Sequence, residues 1–343
     1  MLKRSRFSKS AAKDSGWEST HGANAGRGNF PETVIEAGNL PRVMITDAMD
    51  DKAVTWLGDR CMVHFDPTVG MDRDAYARML EVADVLVGAD FTPLDDAALA
   101  AAKRLSLVVD LGQGISPTLA ASLQKRTIHV MRAVKAQDAA VAEYVLAAAL
   151  LLLRRAFQAT SQIVAGQWPQ QALAVGSEVR GKTFGLVGYG STAQAVSRVL
   201  RALGAKVVFA SAAKIEVVLE ENLRQVNIAE LLALSDVISI HEHAHKLQFD
   251  ASSFSQMKRG ALLINTADAS MVNEGAVALA LHSGQLGGAA LDVLSSPPLG
   301  RGNAFEQCPN LLLTPGIAGL SAEANMRAGT ELVERIAAQL GLW

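Results

Sequence analysis

The segment GLVGYGSTAQA spaces Gly188, Gly190 and Ala193 as G-x-G-x-x-A. Such a turn is chemically informative when it directly follows an apolar strand and opens a helix. Both conditions hold: the run Phe184 to Val187 precedes it, and Ser191 and Thr192 begin a helical pattern. Gly188 then allows the tight turn, Gly190 lets the backbone approach a pyrophosphate, and Ala193 permits close helix–strand packing. The phosphates would rest on free N–H groups at the helix start, those of Ser191 and Thr192 among them. A strand–helix turn that holds no ligand is the alternative. The next strand, KVVFAS, ends at Ser211, where an acidic residue would hydrogen-bond an adenosine ribose. Ser211 can bond a hydroxyl but brings no charge to repel a 2′-phosphate, and Lys214 lies close behind. NAD and NADP therefore both remain open as cofactors.

Two other places carry titratable groups. LLINTADASMVNE delivers Asp268 at the carboxyl end of an apolar strand, the end at which α/β folds bind ligands. In SIHEHAHKL, His241, His243 and His245 alternate, so an extended backbone would point all three imidazoles the same way. A metal site and a replacement acid/base are both readings of that cluster, and no metal is assigned.

The elements that must position these residues follow a βα rhythm. From PRVMITD onward, short apolar strands alternate with helical segments, through CMVHFD, DVLVGAD and LSLVVDLGQG. After KTFGLVG the rhythm repeats through VISIHEH, GALLINTA, AALDVL and NLLLTPG, and SAEANMRAGTELVERIAAQL reads as a long terminal helix. This pattern predicts an α/β fold with two doubly wound parallel sheets. A length of 343 residues suits two domains, and a 50% hydrophobic composition gives each a core. With aromatics at 5%, those cores must rest on aliphatic side chains.

A net charge of −2 gives no electrostatic reason to expect nucleic acid or an anionic membrane. No apolar run approaches the ~18 residues of a membrane span. YVLAAALLLL reads instead as a core helix at a domain junction. Cys61 and Cys308 suggest neither a disulfide framework nor a zinc site, which fits a reducing, cytoplasmic setting. Residues 1–40 are basic, rich in Ser and Gly and without apolar periodicity. They read as a disordered tail, with an organelle transit peptide or an over-extended start as alternatives.

Taken in order, AVAEYVLAAALLLLRR, GKTFGLVGYG, SDVISIHE, MKRGALLINTA, LDVLSSPP and NLLLTPGIAG resemble the D-isomer-specific 2-hydroxyacid dehydrogenases. The resemblance covers nearly all of residues 41–343. It implies a flavodoxin-like substrate domain, residues 41–134 and 310–343, with an NAD(P)-binding domain, residues 135–309, inserted into it. It also implies a homodimer and a small-molecule substrate. His241, Thr266, Ala267 and Asp292 would join the turn residues at the cofactor, while Gly112, Gln113 and Gly114 would hold the substrate carboxylate.

Three family residues are replaced. Asp268 stands where the family has an arginine that holds the substrate carboxylate. Gly316 occupies the place of the acid/base histidine, and Pro297 that of its glutamate partner. Losing an acid/base group of this kind costs about 10²–10⁴ in rate. Ordinary 2-keto acid reduction is therefore not expected. Asp268, His241, His243 and the hinge residue Lys135 are the remaining catalytic candidates, though an exposed hinge lysine also explains Lys135. Two functions follow: an oxidoreductase with an altered site, or a catalytically silent relative that uses its dinucleotide for regulation or binding.

Overall fold

The computed structural model describes residues 40–47, 49–89, 91–111, 115–133, 135–211, 222–242 and 248–342. The tail 1–39, the segment Gly112 to Gly114, His243 and His245 lie outside them. The chain divides into two compact units, one ending at Ala136 and resuming at Asn325, the other running from Gln137 to Ala324.

In the first unit, β1 (Arg42–Ile45), α1 (Asp51–Gly58), β2 (Met62–Phe65), α2 (Arg73–Leu80) and β3 (Val85–Gly88) come first. They are followed by α3 (Asp96–Ala101), β4 (Leu107–Asp110), α4 (Pro117–Lys125) and β5 (His129–Arg132). The strands pair in parallel in the order β2-β1-β3-β4-β5, the flavodoxin-like arrangement. Side chains alternate between the two faces, as a period of two requires. Val43, Ile45, Val85 and Val87 pack with Leu57 of α1 on one face. Met44, Leu86 and Val108 meet Leu80, Leu99 and Leu123 on the other. Burial on both sides is why these strands read as unbroken apolar runs.

The second unit begins with α5 (Asp138–Arg154), α6 (Ala159–Val164), α7 (Gln170–Leu173), β6 (Thr183–Val187), α8 (Ser191–Ala202) and β7 (Lys206–Ala210). It continues through β8 (Leu223–Gln225), α9 (Ile228–Leu234), β9 (Val237–Ile240), α10 (Ala251–Gln256), β10 (Ala261–Asn265) and α11 (Glu274–His282). Then come β11 (Leu286–Leu291), β12 (Leu311–Leu313) and the terminal helix α12 (Ala322–Leu340). Seven parallel strands run in the order β12-β11-β10-β9-β6-β7-β8. Helices α5 and α8 close one face over Phe184, Leu186, Val207 and Phe209. The other face holds Ile238, Ile240 and Leu263 beneath Leu231, Phe254, Val277 and Leu281.

The sequence boundary at residue 310 needs correction. β12 pairs with β11 through Ala289–Leu311 and Leu291–Leu313, so it completes the second sheet. The return to the first unit falls within α12, whose Leu332, Val333 and Ile336 pack into the first unit's core. Strand β8 was also not anticipated, because LRQ is too short and polar to show an alternation.

Candidate dinucleotide site in the second unit

Strand β6 lies at the point where chain order reverses, with β7 on one side and β9 on the other. The carboxyl ends of the three are level: Val187 is in register with both Ala210 and Ile240. In an open α/β sheet the crevice beyond such ends is the ligand site.

Gly188 leaves β6 with φ +86°, a left-handed turn that only glycine adopts without strain, and its N–H donates to the Ala210 carbonyl at 2.8 Å. Tyr189 then stacks on Phe209 of β7, ring centroids 3.9 Å apart, which pins the turn to the sheet. Gly190 caps α8 without any side-chain hydrogen bond, and a Cβ built on it would meet nothing within 4 Å. The first N–H groups of α8 thus have open space before them. Ala193 is fully buried, as close helix–strand packing demands. Thr192 works sideways: its hydroxyl donates to Asp138 Oδ1 at 2.6 Å and ties α8 to the start of α5.

Just past β9, both ring nitrogens of His241 are buried without a hydrogen-bond partner among the described residues. Burial pushes its pKa down to about 4, so the ring is neutral near pH 7. The residue as a whole is only partly buried, but the nitrogens themselves are shielded from water. An unsatisfied buried imidazole, a glycine step and an unblocked helix start together fit a dinucleotide. Ser211, just past β7, is half-buried.

The loops after β10 and β11 are organised by residues that sequence reasoning passed over. Buried Asn265 donates from Nδ2 to the Asp268 carbonyl at 2.8 Å and accepts from the Ala267 N–H at 3.1 Å. This clip sets the path of Thr266 and Ala267. Asp268 itself caps the short 3₁₀ turn Ala269–Met271, its Oδ1 accepting from Ser270 N–H at 2.7 Å.

Asp292 is 1% exposed. Its carboxylate accepts from Thr314 Oγ1, Ile317 N–H and Ala318 N–H at 2.6 to 2.8 Å. With those donors in place it anchors the 314–318 loop. Tyr144 extends this network. Thr314 spends its proton on Asp292, so the Tyr144 hydroxyl donates to Thr314. Burial raises the Tyr144 pKa, the Thr314 bond opposes this, and the Asp292 charge adds to it.

Gly316 sits in this loop with φ +73°, its N–H donating to the Asp292 carbonyl at 2.7 Å. Pro297 is exposed after β11. Lys135 is exposed on the first unit. His243 and Gly112 to Gly114 fall outside the described residues.

Comparison with known proteins settles the relationship. Residues 146–318 match the family model described as "D-isomer specific 2-hydroxyacid dehydrogenase, NAD binding domain". The chain belongs to this family. It is 34% identical over 310 residues to the (S)-sulfolactate dehydrogenase of Chromohalobacter salexigens, covering 88% of this chain and 98% of that protein. It is 30% identical over 307 residues to the D-3-phosphoglycerate dehydrogenase of Mycobacterium tuberculosis, but spans only 56% of that longer protein. Among solved structures, an acyclic imino acid reductase in complex with NADPH and D-Arg superimposes with a TM-score of 0.76 at 26% identity, covering 88% of this chain and 97% of that one. The cofactor of a D-2-hydroxyacid dehydrogenase is NAD or NADP. The second unit carries the turn that would hold it: Gly190 and the start of α8 leave the open space a pyrophosphate would need.

Proposed function

We propose that this D-2-hydroxyacid dehydrogenase homologue is an NAD(P)-dependent oxidoreductase whose site has turned from 2-keto acids to neutral or cationic substrates. Imines are the substrate class in view. A reduced nicotinamide, when bound, supplies a hydride. Reduction of a keto acid also needs a proton for the nascent alkoxide, and in the family a histidine provides it. Here Gly316 has no side chain to do so. A protonated imine removes that need: hydride adds to its carbon, the C=N π pair moves onto nitrogen, and a neutral amine results.

The observation that carries this reading is the carboxylate of Asp268 at the carboxyl end of β10, where the family places a cation. A carboxylate there disfavours a second anion and favours a positive charge. The imino acid reductase complexed with D-Arg is a structural relative with a ligand of this kind.

A second reading keeps the dinucleotide but no turnover. The 314–318 loop favours it, because the loop offers no ionisable side chain and its backbone is closed onto Asp292. Nicotinamide absorbance decides between them, with 2-keto acids supplied alone and together with ammonia or methylamine. Oxidation of NADH or NADPH only when amine is present supports the proposal. Equal rates on pyruvate, glyoxylate or hydroxypyruvate alone overturn it. Dinucleotide binding without turnover on any mixture favours the silent relative.

We further propose that the protein is a homodimer. On α5, Val145, Ala149 and Leu152 pack against the core of the second unit, while Leu150 is exposed. Further exposed apolar side chains follow in the next segment: Ile163, Val164, Trp168 and Val175. They supply the apolar surface a partner would cover.

A further inference from the structure

We propose that Glu242 selects the ribose of the dinucleotide and makes this protein prefer NAD(H) to NADP(H). The proposal rests on the reading of the β6–α8 turn as a dinucleotide site. Its starting point is a missing charge: β7 ends at Ala210 and is followed by Ser211, so the place that ordinarily carries the ribose-binding carboxylate carries none.

A carboxylate reaches the same crevice from the other side. Glu242 follows His241 immediately past β9, the strand that flanks β6 opposite β7. A Cβ placed on Gly188 would overlap the Glu242 Cβ and come within 3.1 Å of its Oε2. The carboxylate therefore lies against the first glycine of the turn. No hydrogen bond or ion pair from a described residue engages it.

The pyrophosphate belongs at Gly190 and the first N–H groups of α8. In this fold the adenosine ribose lies at the end of the strand that follows the turn. That end is Ala210 of β7, whose carbonyl accepts from the Gly188 N–H at 2.8 Å, so the ribose falls beside Gly188. Glu242 Oε1 and Oε2 would accept from the 2′- and 3′-hydroxyls there. A 2′-phosphate in the same place would set its negative charge against the carboxylate in a partly desolvated crevice. The turn leaves Glu242 no room to retreat through Gly188, which is why the glycine there serves the contact as well as the bend.

Dissociation constants for NADH and NADPH, read from nucleotide fluorescence on the full chain and on Glu242→Gln, test this. The wild type should bind NADH at least tenfold more tightly than NADPH. Glu242→Gln should shrink that ratio tenfold or more, chiefly by tightening NADPH, with its melting temperature unchanged. On the wild type alone, raising the salt should narrow the preference, because screening weakens repulsion. A wild type that binds NADPH as well as NADH overturns the proposal, as does a ratio unmoved by Glu242→Gln or a preference that widens with salt. If neither nucleotide binds at millimolar concentration, the dinucleotide reading falls and this one with it.

Discussion

Burial of both His241 ring nitrogens sets a pH dependence that can be isolated. The unfolded chain takes up a proton at this residue near the ordinary value of 6.5, whereas the folded protein resists until about 4. The folded pKa is lowered, so the contribution to stability is full above 6.5 and is lost as pH falls from 6.5 toward 4. At about 1.4 kcal/mol per pKa unit, that loss approaches ~3 kcal/mol. Denaturant unfolding at pH 7.5 and pH 5 should show the wild type losing more stability on acidification than His241→Gln. Equal losses would refute the argument. Gly316 makes a second case. A histidine placed there must adopt a left-handed backbone at φ +73°, which costs about 1–2 kcal/mol. Gly316→His should lower the melting temperature, and Gly316→Asn should lower it less. A histidine variant as stable as wild type would mean that the loop reshapes freely.

At the scale of the element, the turn between β6 and α8 separates folding from binding. Gly190 has φ −70° and open space where its Cβ would be, so the fold itself does not require glycine there. Gly190→Val should cost about 1 kcal/mol or less in stability yet reduce dinucleotide affinity at least tenfold. Gly188→Val should differ: the left-handed φ and the overlap with Glu242 should make it unfold several degrees earlier. Calorimetric titration beside thermal melts would distinguish the two. Unaltered NAD(H) and NADP(H) binding by Gly190→Val would show that no phosphate approaches this glycine. The Gly188, Gly190 and Ala193 spacing was legible in sequence because it is local and each position answers one steric demand. The Asn265 clip and the Tyr144–Thr314–Asp292 chain were not, since each joins residues distant in sequence or hidden within an apolar run.

For the molecule as a whole, the open question that geometry sharpens is assembly. Val164 is 83% exposed and Trp168 77%, far more than an isolated surface needs to leave to water. Light scattering at micromolar concentration should give a dimer mass, and the double variant Val164→Glu, Trp168→Glu should give a monomer with an unchanged circular dichroism spectrum. A monomeric wild type would contradict the homodimer. A dimer that persists in the double variant would place the interface elsewhere.

The α/β class, the two parallel sheets and the dinucleotide turn were determined by the sequence alone. Strands buried on both faces must be apolar throughout, and a βα rhythm admits few topologies. Asp268, Pro297 and Gly316 were equally plain as candidates, because they stand in strings that resemble the family's. What those residues do was decided only by tertiary structure. Asp268 closes a 3₁₀ turn and Gly316 adopts a backbone that other residues resist, while the neighbouring Asp292 holds a loop. The second domain boundary moved for the same kind of reason: β12 pairs with β11, a strand-to-strand match that no property of LLL by itself reveals. Glu242 shows the same limit. Nothing in SIHEH marks its carboxylate as chemically placed until β9 and β6 lie side by side and bring it against Gly188, because the hydrogen bonds that align strands join residues far apart in the chain.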